Sequence, residues 1–132
     1  MPLLQTYIVE DSPVIRENLI ATLEELAPVR VVGTAEDEAG ATQWLARPGR
    51  RVDLVIVDLF LKSGSGLGVL RSAQAQPRPT TLVVLSNYVS PDLRRQCLAL
   101  GADQVFDKSN DLDALILYCQ RLAGVRQPDG CY

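Results

Sequence analysis

Five short apolar runs punctuate the chain, "LLQTYIV" (3–9), "VRVVGTA" (29–35), "VDLVIVD" (52–58), "TLVVLS" (81–86) and "QVFDK" (104–108), each separated from the next by a helix-length segment. They are rich in Val, Ile and Leu, and the third and fourth are nearly continuous, as expected of strands covered on both faces. This alternation constrains the fold more than any other feature. Strands that alternate with helices pair in parallel through right-handed crossovers, giving one sheet between helical layers.

The intervening segments carry helix signals. Ser12-Pro13 reads as an N-cap and first-turn proline, followed by Ile15, Leu19, Leu23 and Leu26 at three-to-four spacing. A second helix runs through "EAGATQWLA" and stops before Pro48-Gly49. A third covers "GLGVLRSAQA" and stops before Pro77. The fourth opens at Ser90-Pro91-Asp92, carries Leu93, Cys97 and Leu100, and ends at Gly101. The fifth follows a cap region at Ser109–Asp111 and carries Leu112, Leu115, Ile116, Cys119 and Leu122. With 132 residues and no internal repeat or linker, a single domain over 1–124 is expected, with a loose tail at 125–132.

Composition removes several function classes. Histidine is absent, so imidazole is not available as a base, a zinc ligand or a phosphate carrier, and a Ser-His-Asp or Cys-His hydrolase is excluded from this chain alone. A net charge of −3 argues against a dedicated nucleic-acid surface, and no basic run suits an anionic membrane. The start "MPLLQTYIVEDS" meets carboxylates too early for a signal peptide, and no apolar stretch is long enough for a membrane span. Three cysteines without recognisable spacing then read as reduced thiols in the cytoplasm, with Cys97 and Cys119 as small core residues.

In an open parallel sheet, ligands bind beyond the carboxyl ends of the strands. The first strand here ends in Glu10-Asp11, the third in Asp58, the fourth in Ser86 and the last near Lys108. Each has a bland explanation, since an acidic pair before a helix often serves only the macrodipole. Their joint placement on four strand ends argues for a site. Clustered carboxylates raise one another's pKa unless a cation compensates them, and a hard oxygen-loving ion such as Mg²⁺ suits the set. One carboxylate could then act as nucleophile towards phosphorus, with the lysine and the hydroxyl holding phosphoryl oxygens.

In these pieces, "VEDSP", "VDLVIVDLFLKSGSGLGVL", "VVLSNY" and "GADQVFDKS", the chain resembles the receiver domains of bacterial two-component response regulators over about residues 4 to 123. The resemblance implies a flavodoxin-like (CheY-like) doubly wound (βα)5 sheet of order 2-1-3-4-5. It implies Asp58 as the phospho-acceptor, and Asp11, Glu10 (through water), Asp58 and the backbone carbonyl of Phe60 as the Mg²⁺ site. Ser86 takes the place of the switch hydroxyl and Lys108 that of its partner lysine. The implied phosphodonor is a sensor histidine kinase or a histidine phosphotransfer protein. The implied readout face is helix 4, strand 5 and helix 5, where Arg94 and Arg95 lie, used by an output protein or in a homodimer. The tail holds no helix-turn-helix pattern, so direct DNA contact by this chain is not expected.

Some positions depart from the family pattern. Val105 stands where an aromatic switch residue is common, while strand alternation turns Phe106 to the opposite face, towards the core. Tyr88 is a candidate to cover the site instead, and Asn87 either crowds the phosphoryl pocket or caps its loop. Phe60 and Tyr88 flank the path of attacking water and are expected to slow self-dephosphorylation. Lys62 replaces a frequent proline, and "SGSG" is expected to give a mobile loop. "GSGLGV" lacks the last glycine of a dinucleotide fingerprint and follows the wrong strand. An aspartyl phosphatase would want a second acid at position 60. The remaining alternative is a receiver-like module that binds partners without being phosphorylated.

Overall fold

A computed structural model describes residues 3–49, 51–76 and 80–126. Ten elements alternate along the chain: β1 (Leu4–Val9), α1 (Pro13–Leu26), β2 (Val29–Ala35), α2 (Glu38–Leu45), β3 (Leu54–Val57), α3 (Gly66–Gln74), β4 (Thr81–Ser86), α4 (Pro91–Ala99), β5 (Gln104–Asp107) and α5 (Leu112–Arg126). The strands form one parallel sheet of order β2-β1-β3-β4-β5. The chain leaves β1 for β2 on one side and returns to β3 on the other, so the topological switch point lies between β1 and β3. The segment expected as a loose tail lies outside the described residues except for 125 and 126, which end α5.

Side-chain alternation along the strands builds two cores. Tyr7, Val9, Val55, Val57, Leu82, Val84 and Val105 face one way, onto Ala41 and Leu45 of α2, Val69 and Leu70 of α3, and Cys97 of α4. Leu4, Ile8, Leu54, Ile56, Val83 and Leu85 face the other, onto Leu19 and Leu23 of α1 and Leu115 and Cys119 of α5. The four residues of β3 are all buried, as the continuous apolar run requires of a central strand. On α1 the expected stripe is buried at Leu19 and Leu23 but open at its ends. Ile15 and Leu26 are 39% and 50% exposed, because a terminal turn has neighbours on one side only.

The caps follow the sequence signals. Ser12, Ser65 and Ser90 each accept a backbone N–H with the side-chain oxygen at the start of a helix, as does Asp37 at the start of α2. Phe106 packs against the α1–α5 layer and meets Tyr118 edge to face, as alternation predicts, while Val105 lies in the opposite core. Among the described residues no helix is long and apolar enough to cross a membrane.

Cys97 and Cys119 are buried free thiols in α4 and α5. Burial pushes both pKa values up, that of Cys119 to about 12. An alkylating agent at pH 8 should therefore leave both unmodified in the folded protein and modify both once denaturant is added. Peptide mass mapping reads this out, and labelling of either in the native state would contradict the packing.

Candidate functional site

Strand register brings the polar strand ends together. Val9 pairs with Val57, so Glu10 and Asp58 leave neighbouring strands at one level, and the Asp58 N–H donates to the Val9 carbonyl at 3.0 Å. Val57 pairs in turn with Val84, two residues before Ser86, and the Lys108 N–H donates to the Ser86 carbonyl at 3.1 Å. Each side chain is thus delivered by the strand ladder rather than by a flexible loop.

Asp58, 7% exposed, is the hub. One carboxylate oxygen, Oδ1, accepts from the Ser86 hydroxyl at 2.7 Å and from the Phe60 backbone N–H at 3.1 Å. The other, Oδ2, accepts from the Lys108 ammonium at 2.8 Å. The same ammonium donates to Glu10 Oε1 at 2.6 Å. Burial alone would lower the Lys108 pKa, but the hydrogen bonds to Asp58 and Glu10 outweigh it and hold the pKa above its ordinary value. Glu10, 3% exposed, also accepts from the Ser12 N–H at 3.0 Å, which joins the site to the N-cap of α1.

The carboxylates of Glu10, Asp11 and Asp58 offer oxygens within 4.8 Å of one another. Among the described residues Lys108 is the only cation in an ion pair with these carboxylates, so their formal negative charge exceeds that of its ammonium by two. An all-oxygen donor set with two charges to spare fits a hard divalent cation such as Mg²⁺. The expected side chains Glu10, Asp11, Asp58, Ser86 and Lys108 therefore form one cluster at the carboxyl ends of the strands.

Other expectations need correction or refinement. Tyr88 does not pack over the carboxylate cluster: it is 91% exposed, with a backbone φ of 58°. A left-handed conformation reverses the local chain direction and turns the ring to solvent. Asn87 caps a loop, accepting from the Ser109 hydroxyl at 2.8 Å, so its side chain is occupied beside the site rather than within the hydrogen-bond network of Asp58. The "SGSG" segment, expected to be mobile, is joined to α2: Ser65 N–H donates to Glu38 Oε1 at 2.8 Å.

Arg16 escaped the sequence reading. Its guanidinium donates to the Glu10 carbonyl at 2.9 Å and lies 3.7 Å from the Glu36 carboxylate, bracing the turn that carries the acids. A signal was available, because a cation in the opening turns of a helix opposes the macrodipole and calls for a specific partner.

Comparison with known proteins gives the family. A family profile described as the response regulator receiver domain matches residues 6–120. A protein-glutamate methylesterase/protein-glutamine glutaminase of Syntrophus aciditrophicus is 32% identical over 108 residues, covering 80% of this chain and 30% of that protein. A probable transcriptional regulatory protein of Picosynechococcus is 31% identical over 120 residues, covering 87% of this chain and 47% of that protein. The chain thus spans less than half the length of either relative. Among solved structures, the signal receiver domain of the putative response regulator NarL from Mycobacterium tuberculosis superposes with a TM-score of 0.74 at 23% identity, covering 92% of this chain and 98% of that one. On the strength of the profile match and the shared fold, the chain belongs to the response regulator receiver domains of two-component signalling.

Proposed function

We propose that the domain takes a phosphoryl group onto Asp58 from a phosphohistidine on a sensor kinase or a histidine phosphotransfer protein. The carrying observation is the surround of Asp58: its oxygens are already engaged by Ser86, Lys108 and the Phe60 N–H beside two further acids. A carboxylate oxygen of Asp58 attacks phosphorus, the new O–P bond forms as the P–N bond breaks, and the electron pair leaves on the imidazole nitrogen. Glu10, Asp11, Asp58 and the Phe60 carbonyl would hold Mg²⁺, which when bound neutralises charge on the phosphoryl oxygens. The Ser86 hydroxyl and the Lys108 ammonium then transfer their hydrogen bonds from Asp58 to the phosphoryl group.

That transfer is the switch. Ser86 ends β4 and leads through Asn87 and Tyr88 into α4, whose sole fully buried residue is Cys97. A helix so lightly anchored is the element whose position a new pull on Ser86 can bias. Arg94 and Arg95 are exposed on α4, with Arg95 paired to Asp92. An output protein or a second copy of the chain would read the state across α4, β5 and α5, in the cytoplasm, where the buried thiols stay reduced.

A small phosphodonor with Mg²⁺, followed by intact-mass spectrometry, tests the reading. One phosphoryl increment is expected in the parent chain and none in Asp58→Asn. No increment with any donor would favour the non-phosphorylated binding module, and sustained turnover of phosphoesters would indicate a phosphatase. Phe60 is 54% exposed at the mouth of the site, so Phe60→Asn should shorten the phosphoryl lifetime by admitting water; an unchanged lifetime would remove Phe60 from that role.

A further inference from the structure

The motif "GSGLGV" supplies none of the side chains bonded to Asp58, yet it is where a side chain from another helix is seated. Glu38, the first residue of α2, reaches across to the loop between β3 and α3. Its Oε1 accepts from the Ser65 N–H at 2.8 Å, and its own N–H donates to the Ser63 carbonyl at 3.3 Å. Two glycines leave the room it occupies. A Cβ on Gly68 would stand 2.1 Å from Glu38 Oε2, and one on Gly64 would stand 2.4 Å from Glu38 Cβ. Any larger residue at either position would press on Glu38.

The far side of the same loop touches the acceptor. Ser65 pairs with Phe60 through an isolated antiparallel bridge, and the Phe60 N–H donates to Asp58 Oδ1. Glu38 therefore grips the strand segment that faces the one carrying this donor. We propose that Glu38 is a positioning residue for phosphorylation: through Ser65 and the bridge to Phe60 it holds the Phe60 backbone against Asp58. A charge-assisted bond to a backbone N–H is among the stronger hydrogen bonds, and reacting groups tolerate little misplacement. The inference rests on Asp58 being the acceptor.

The test compares the parent chain with Glu38→Ala, Glu38→Gln and Gly68→Ala by two readouts. The first is the backbone amide spectrum of the resting protein. The second is the rate of phosphoryl uptake from acetyl phosphate with Mg²⁺, at saturating donor and well below the thermal midpoint. In Glu38→Ala the Phe60 amide should shift and the saturating rate fall about tenfold, with little change in the donor concentration for half-maximal rate. Glu38→Gln keeps an acceptor oxygen and should recover to within about threefold of the parent. Gly68→Ala displaces the carboxylate without removing it and should behave like Glu38→Ala; it decides the matter if Glu38→Ala does not fold. An unmoved Phe60 amide, an unchanged rate, or a lowered thermal midpoint as the sole effect would overturn the proposal. If the parent itself takes no phosphoryl group, the functional reading falls and the positioning role with it, while a shifted Phe60 amide in Glu38→Ala would still show that Glu38 holds the Phe60 backbone.

Discussion

Replacing Lys108 by methionine will destabilise the metal-free domain by about 2 kcal/mol, and added Mg²⁺ will recover much of the loss. The ammonium is the cation shared by Glu10 and Asp58, which are 3% and 7% exposed. Removing one partner of a buried ion pair costs about 3–5 kcal/mol, because the other charge is left uncompensated. Lys108 keeps 16% of its side chain in contact with water, so solvent screening brings the expected loss below that range, to about 2 kcal/mol. Methionine preserves most of the aliphatic stem, so the change reads charge rather than volume. Denaturant unfolding in EDTA measures the loss, and the same experiment in Mg²⁺ should narrow the gap to the parent. A double-mutant cycle with Asp58→Asn isolates the pair, because removing one carboxylate relieves the crowding that Lys108 had compensated. The coupling should reach about 1 kcal/mol or more. Equal stability of Lys108→Met and the parent in EDTA would show that water already compensates the acids.

Strand ends were legible in the sequence because a parallel sheet gives them a common address. Glu10, Asp58 and Ser86 needed only the five apolar runs and the rule that ligands gather at carboxyl ends. The side of the sheet taken by Val105 and Phe106 followed from the two-residue period of a strand. Tyr88 was not legible in this way. A loop residue belongs to no period, and a left-handed φ at a tyrosine has no signature in residue type. Glu38 was hidden for a different reason. An acid at a helix start is already explained by its own macrodipole, and its partner Ser65 lies 27 residues away.

Asp53 shows the limit of reading residue type alone. It brackets β3 opposite Asp58 and is equally buried at 7%. Its carboxylate accepts the Gln5 N–H at 2.8 Å at the amino-terminal edge of the sheet, and Asp103 does the same for the Leu82 N–H. These acids satisfy the orphan donors with which strands begin. A buried aspartate becomes a candidate nucleophile through the company of a lysine, a hydroxyl and further acids, and among the described residues Asp58 has that company.

Gly66→Ala should be among the most damaging single-methyl changes in the chain. A Cβ at position 66 would lie 2.3 Å from the Asp58 carbonyl oxygen and 2.7 Å from the Leu59 Cα. Both obstacles are backbone, so no side-chain rotation can relieve them. Gly66 is also tied to the acceptor strand by its N–H, which donates to the Leu59 carbonyl at 3.1 Å. The first turn of α3 must therefore shift away from β3, breaking that bond and dislodging Val69 and Leu70 from the core. A loss of about 3 kcal/mol is expected, the upper end of ordinary overpacking, because the strain falls on main chain. The same shift would carry the Phe60–Ser65 bridge away from Asp58, so uptake of a phosphoryl group should fall by up to about a hundredfold in the molecules that remain folded. Gly124→Ala is the matched control. It adds the same methyl group where nothing lies within 4 Å, inside α5, and should raise stability by up to about 1 kcal/mol through helix propensity alone. Urea denaturation of the two variants, with phosphorylation measured at equal folded fraction, separates the contact from the composition. If Gly66→Ala unfolded at the same urea concentration as the parent, α3 would not be seated on the acceptor strand as closely as these distances require.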